Sequence, residues 1–192
     1  GNGNNLVTTG DGDKTIYAGA GNDTITLGTA DSASPTGTSV RDYGGSNAIT
    51  TGDGDGRDVI SITGSLGTDV NTIHTGIAND GNADGDDTVI TGLGTETIEV
   101  GDGDNIVTAT GGDKTVTSGT GDDTITLGSA VGTTVGTGTS VRDYGGSNAI
   151  TTGSGNGRDV VSITGSLGTD INIIDVGTAN DGNADGDDTV NT

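Results

Sequence analysis

The chain has 192 residues and a formal net charge of −22, with 40 glycines, no cysteine, 27% hydrophobic residues and 2% aromatic residues. This composition argues against an ordinary globular core, and the charge argues against nucleic acids and anionic membranes and in favour of cations as partners. Such a chain can still fold if repeats stack and bury a narrow continuous core. The absence of cysteine suits an exported bacterial protein, and the sequence shows neither a signal peptide nor a transmembrane span.

Along the whole chain, an aliphatic residue recurs two positions after a polar one, which is most often Asp or Asn. Residues i and i+2 of a β-strand share a face, so each aliphatic predicts a short strand. The preceding Asx then lies at a Gly-rich corner and points to the same side as the aliphatic side chain. No stretch has helical periodicity. In chain order, the predicted strand centres are Val7, Ile16, Ile25, Val40, Ile49, Ile60, Ile73, Val89, Ile98, Val107, Val116, Ile125, Val141, Ile150, Val161, Ile174 and Val190.

A larger repeat divides the chain into residues 1–100 and residues 101–192, a second copy that is truncated. For example, GNDTITLG at 21–28 returns as GDDTITLG at 121–128, and the second copy lacks a counterpart of GLGTETIEV at 92–100. The small repeat runs through both copies, so we predict one continuous solenoid rather than two separate domains.

The small repeat resembles the repeats-in-toxin (RTX) family, whose nonapeptide reads G-G-x-G-x-D-x-U-x with U a large aliphatic residue. AGAGNDTIT at 18–26 and SGTGDDTIT at 118–126 each depart from it at one position. GDGRDVIS at 54–61 and GNGRDVVS at 155–162 match from the second position onward. The resemblance implies an all-β, right-handed parallel β-helix or β-roll solenoid with Gly-Asx corners and inserted loops. Wider and unequal spacings between some aliphatics leave open whether each coil has two faces or three.

The resemblance also implies several calcium ions held in the corners, with Asp23, Asp58, Asp123 and Asp159 as ligands. A second signal is DGNADG at 80–85, which fits D-x-[DN]-x-[DN]-G, the opening of an EF-hand calcium loop. Thr91 stands where an EF-hand has its last acidic ligand, so we predict a calcium loop between coils instead. Alternatively, these acids form Asx-turns or provide charge for solubility. The ligands predicted from this second motif are Asp80, Asn82, Asp84, Asp86 and Asp87, and in the second copy Asp181, Asn183, Asp185, Asp187 and Asp188.

Lysine occupies two corner positions, Lys14 and Lys114, where the next repeat carries an aspartate. We expect its ammonium group to replace the charge of a calcium ion at these corners and to bridge acids such as Asp11 and Asp13. The alternative is a solvated lysine on a loop.

The expected function is a calcium-stabilised structural segment of an exported bacterial surface protein, such as an S-layer protein, an adhesin stalk or an extracellular filament. The alternatives are an accessory calcium-binding domain of a secreted enzyme or toxin and an ice-binding adhesin segment. Distinctive features occur twice and cations beside acids are few, which argues against an enzyme. We expect an extracellular location, with calcium ions and further copies of the same repeat as partners, and surface glycans as a further class.

Overall fold

The computed structural model describes residues 1–29, 37–54, 56–78, 84–129, 138–153, 158–177 and 188–192. These residues form short β-strands joined by corners and loops, which confirms the all-β prediction. No described helix has the length and apolar character that crossing a membrane requires. The strands are β1 (Leu6–Thr8), β2 (Thr15–Tyr17), β3 (Thr24–Thr26), β4 (Ser39–Asp42), β5 (Ala48–Thr50), β6 (Val59–Ile62), β7 (Val70–Gly76), β8 (Thr88–Leu93), β9 (Thr95–Val100), β10 (Ile106–Gly111), β11 (Lys114–Thr117), β12 (Thr124–Leu127), β13 (Ser140–Asp143), β14 (Ala149–Thr151), β15 (Val160–Ile163), β16 (Ile173–Asp175) and β17 (Thr189–Asn191).

The strands alternate between two parallel sheets. Odd-numbered strands form a nine-stranded sheet, sheet A, and even-numbered strands form an eight-stranded sheet, sheet B, both stacked in chain order. Each coil therefore contributes one strand to each sheet, which makes the solenoid a two-sided roll. The two-sided alternative is the correct one for the described strands.

The predicted aliphatic residues stack in register and form the core. Val7 pairs with Ile25 and Val107 with Ile125, for example, and the same pairing continues through both sheets. Most of these side chains are fully buried between the sheets. Each of the predicted strand centres lies in a strand of its own, because the strict i, i+2 pattern places one aliphatic side chain inward in every strand.

Irregular spacing in the sequence is taken up outside the strands. Leu6 pairs in register with Thr24, whereas Val160 pairs with Thr189 across a much longer stretch of chain. The described strands keep their register across these unequal lengths, so the ladder of core residues continues unchanged.

The described residues of one copy of the large repeat form an odd number of strands. The first copy runs from β1 to β9, and the second begins with β10. Equivalent strands of the two copies therefore lie in opposite sheets: Val7 belongs to sheet A, and its counterpart Val107 belongs to sheet B.

Candidate functional site

The corner residues, two positions before each central aliphatic, stack into two inner ladders. Their side chains enter the roll, as the sequence predicted, and Asp23, Asp87 and Asp123 are each 1% exposed. The inner ladder of sheet A is Asn5, Asp23, Asn47, Asn71, Glu96, Lys114, Thr139, Asp159 and Asp188. The inner ladder of sheet B is Lys14, Thr38, Asp58, Asp87, Asn105, Asp123, Asn148 and Asn172.

Side-chain oxygens in the inner ladders accept backbone N–H groups from the preceding coil. The N–H of Asp58 donates to Asp87 Oδ1 at 2.7 Å, and that of Asp87 donates to Asn105 Oδ1 at 2.9 Å. The N–H of Asn105 donates in turn to Asp123 Oδ1 at 2.8 Å. Corner N–H groups have no partner within their own strand, so the Asx side chains supply the acceptors that burial requires.

An outer ladder, one position before the corner residue, runs in the opposite direction. The N–H of Asp104 donates back to Asp86 Oδ1 at 2.9 Å, and the N–H of Asp122 donates back to Asp104 Oδ1 at 2.8 Å. In the first copy Asn22 donates to Asn4 in the same way. Hydrogen bonds of opposite polarity thus hold these corners to their neighbours.

Glycine is needed where these corners pack against one another. Gly121 has φ of 141°, and a Cβ atom there would collide with the carbonyl oxygen of Gly103 one coil earlier. Only glycine combines this backbone conformation with such a close approach.

Two buried carboxyl pairs lie at the ends of β4 and β13. Asp42 contacts Asp23, and Asp143 contacts Asp123. Asp42 Oδ1 accepts Gly44 N–H at 2.8 Å and Asn47 Nδ2 at 3.0 Å, whereas the second oxygens of Asp42 and Asp23 are buried without a hydrogen-bond donor. Two carboxyl groups buried side by side are not both ionised unless a cation lies between them. Without a cation, the pair holds a proton.

Ser118 distinguishes the second pair from the first. Its hydroxyl donates to Asp143 Oδ2 at 3.0 Å. The first copy has Ala18 at the equivalent position, buried and without a polar group.

Burial governs the protonation of the corner acids. It raises the pKa of Asp58 to about 6 and that of Asp87 to about 8, although nearby hydroxyl and N–H groups favour the ionised forms. Burial also raises the pKa of Asp123, Asp143 and Asp159. In the absence of a cation, these groups hold protons at pH values where an exposed aspartate is ionised.

The two lysines lie in different surroundings. Lys114 is 1% exposed, and its ammonium group lies 2.5 Å from Glu96 Oε2 and also donates to the carbonyl oxygens of Gly94 and Gly111. Lys14 is half-buried and donates to the carbonyl oxygens of Asp11 and Gly12 at 2.7 Å. We expected Lys14 to contact the carboxylate of Asp11, but its ammonium group donates to the main-chain carbonyl of that residue.

The described part of the chain brings some predicted ligands together. Asp58 and Asp87 occupy consecutive coils, as do Asp159 and Asp188, and Asp84 and Asp86 lie in the corner that ends at Asp87. Asp23 and Asp123 each face a second carboxyl group. The predicted ligands Asp80, Asn82, Asp181, Asn183, Asp185 and Asp187 lie outside the described residues.

Calcium suits these corners by donor type. Carboxylate, amide and glycine carbonyl oxygens are the ligands that Ca²⁺ prefers, and Asp23 Oδ2 is buried without a donor. Among the described residues, however, no three His, Cys, Asp or Glu side chains converge as a metal-holding group. Backbone carbonyls would have to supply most ligands of a corner ion.

Sequence reasoning did not single out Asp42, Asp143 or Glu96 as site residues. The first two lie two residues after an aliphatic, so the same-face rule that placed the corner acids inward applies equally to them. Glu96 lies in the segment 92–100, which has no counterpart within this chain.

The corners of the roll thus bury stacked acidic side chains. At the corner of Glu96, the ammonium group of Lys114 compensates the negative charge. No protein-family model matches the chain, and comparisons with curated proteins and with solved structures find no significant match.

Proposed function

We propose that this chain is a calcium-stabilised structural segment of an exported bacterial surface protein, such as an S-layer, an adhesin stalk or an extracellular filament. In this proposal the segment works outside the cell, where calcium is abundant. Its partners are calcium ions and further copies of the same repeat, which continue the roll by tandem extension or by end-to-end contact.

The observation that carries the proposal is the stacking of buried carboxyl groups on consecutive coils. Asp58 and Asp87 are 2% and 1% exposed and adjacent in the inner ladder of sheet B. A buried acid must be neutralised by a proton or paired with a cation. In a chain with 28 acidic and 6 basic residues, the cation has to come largely from solution.

A structural role also accounts for what the acids do. The corner side chains satisfy backbone N–H groups between coils, which is a task of assembly rather than of catalysis. The single histidine, His74, lies on sheet A with Nδ1 3.0 Å from Glu99 Oε2. We infer that the segment supports other parts of a surface protein and performs no reaction itself.

The test is folding stability with and without calcium. Circular dichroism during urea unfolding at pH 7.5 should show a clear stabilisation by millimolar Ca²⁺ over excess chelator, because an ion bound only by the folded state stabilises it. Magnesium at the same ionic strength should stabilise less, since it demands a smaller octahedral site.

Two variants that remove the same charge locate the effect. Asp58→Asn retains the ladder acceptor but removes a buried carboxylate, so the stabilisation by calcium should shrink. Asp53→Asn removes an exposed carboxylate and should leave it unchanged. Equal unfolding curves for the unmodified chain in calcium and in chelator would contradict the proposal.

A further inference from the structure

The buried ion pair of Glu96 and Lys114 lies at the join between the two copies of the large repeat. Glu96 is the second residue of β9, the last strand of the first copy, and Lys114 is the first residue of β11 in the second copy. The two residues are register partners on neighbouring strands of sheet A. Each is 1% exposed, so the pair lies inside the roll.

This pair replaces the hydrogen-bond pattern of the inner ladder. At most described corners the N–H donates to the Asx side chain of the next coil, as at Asn105, but Glu96 N–H donates to the carbonyl oxygen of Asp113. The ammonium group of Lys114 meets the preceding coil twice, at Gly94 O and at the Glu96 carboxylate. Removing either partner would leave an uncompensated buried charge.

A pair of this kind selects the register of the join. The core is a row of similar aliphatic residues, so a slip by one coil would preserve apolar contacts between strands. The same slip would place Lys114 beside the neighbouring corner residue of sheet A, Asn71, which carries no charge. A single buried polar contact is known to fix the register of otherwise repetitive structures.

Lys14 is the counterpart of Lys114, and one of the three partners of Lys114 has an equivalent around it. Its ammonium group donates to the carbonyl of Asp11, which is equivalent to Gly111 in the second copy. Lys114 gains its remaining partners, Gly94 O and Glu96, from the coil before it. Lys14 is the corner residue just before β2, and β2 is the edge strand of sheet B at the N-terminal end of the described structure.

We propose that Lys14 receives the corner glutamate of a segment equivalent to 92–100 from a second copy of this repeat, so that a Glu–Lys pair marks every join between copies. The surface concerned is the open edge of β1 and β2. Its partner is a strand of the β9 type carrying an acidic corner residue. This inference rests on the proposed structural function and adds to it a rule for which ends fit together.

The test adds one strand to the chain. Thr192 is the counterpart of Thr91, so appending Gly-Leu-Gly-Thr-Glu-Thr-Ile-Glu-Val supplies the missing equivalent of 92–100. The added strand would extend sheet B beyond β16. In the next molecule, β1 and β2 would then pair with β17 and with the added strand, as β10 and β11 pair with β8 and β9.

Sedimentation velocity in calcium should show end-to-end association of the extended chain. The matched control has glutamine in place of the first appended glutamate. We expect its association to be weaker by at least about tenfold, because truncating one partner of a buried charge pair is costly. Lys14→Gln should weaken association by the same factor, and the two changes together should add little more. Electron microscopy should show rods only for the extended chain with both charges.

Equal association of the glutamate and glutamine versions would overturn the charge-selected join while leaving the calcium-dependent structural role intact. Absence of association in all versions would also overturn it. The appended variants leave the original chain unaltered, so loss of folding cannot imitate either result, and the urea experiment tests the structural function separately.

Discussion

Asparagine and aspartate perform one geometric task in the inner ladders with different electrostatic consequences. Asn105 Oδ1 and Asp123 Oδ1 both accept a backbone N–H from the coil before. Asn105 also donates through Nδ2 to the carbonyl oxygens of Gly101 and Gly103, which a carboxylate cannot do. Asparagine therefore satisfies its corner without a cation, whereas aspartate leaves a buried charge that needs one.

Ala18→Ser should stabilise the protein by about 1 kcal/mol in chelator. The new hydroxyl would reach the donor-free oxygens of the Asp23–Asp42 pair, as Ser118 reaches Asp143 in the second copy. Ser118→Ala should destabilise by a similar amount. Urea unfolding measures both changes.

The same change on the surface serves as the comparison for this prediction. Ala48→Ser alters an exposed side chain of β5 and should shift the unfolding midpoint little. If Ala18→Ser behaves like Ala48→Ser, or destabilises, the donor-free oxygens of the pair are satisfied in some other way.

The ladder is the element that holds one coil to the next. At the corner of Asn105, for example, an inner bond runs to the following coil, and an outer bond runs back from that coil. Two rows of mainly Asx side chains therefore hold such a corner in place. Within the inner ladder of sheet B, Asn105 separates Asp87 from Asp123. This spacing keeps an uncharged amide between two acids whose pKa values are raised by burial.

Asn105→Asp should destabilise the protein by at least about 2 kcal/mol in chelator at pH 8, because two carbonyl oxygens lose their donor and a fourth carboxylate joins the row of Asp58, Asp87 and Asp123. Asn5→Asp removes the equivalent bonds to Gly1 and Gly3 at a half-exposed position and should cost less. Thermal unfolding at pH 5 and pH 8 distinguishes the two causes. Only the electrostatic part of the loss disappears at pH 5; an equal loss at both pH values would refute the electrostatic part.

The strands could be predicted from the sequence, but their distribution between sheets could not. Each central aliphatic, such as Ile25 or Ile125, was found in its own strand because inward alternation is dictated by the pleat. The number of sheets depends on how many strands make one coil. Strands that pair in one sheet are separated by unequal lengths of chain, so the spacing of the aliphatic residues does not give that number. The same-face rule placed Asp23 and Asp123 inward and applies equally to Asp42 and Asp143. Which of these acids would meet could not be predicted, because the pairing depends on how the coils stack.

For the whole molecule, the buried acids make stability depend on pH in an unusual direction. The pKa of Asp58 is raised to about 6 and that of Asp87 to about 8, above the ordinary value of 3.8. At pH values between 3.8 and the raised pKa of each group, the folded state binds more protons than the unfolded state, so stability falls as pH rises. The stabilisation from protonation is complete below about pH 4 and is lost as pH passes 6 and then 8.

In chelator, the urea midpoint should therefore decrease from pH 5 to pH 8.5, corresponding to roughly a few kcal/mol summed over the buried acids. Calcium should stabilise more at pH 8.5 than at pH 5, since a bound ion takes the place of protons. A midpoint in chelator that rises between pH 5 and pH 8.5 would show that the corner acids are ionised without an ion.

The odd number of strands in the large repeat determines what a long array would display. The nine described strands of the first copy make four and a half coils, so this copy advances by about 22 Å and turns the next copy through half a revolution. Exposed Arg41 lies on sheet B, and its counterpart Arg142 lies on sheet A. In an array of such copies, equivalent side chains therefore alternate between the two faces. A flat surface that contacts one face meets a given side chain only in every second copy, about 43 Å apart. The remaining copies face away and are available to a second surface, so a rod of this repeat would bridge two layers instead of coating one.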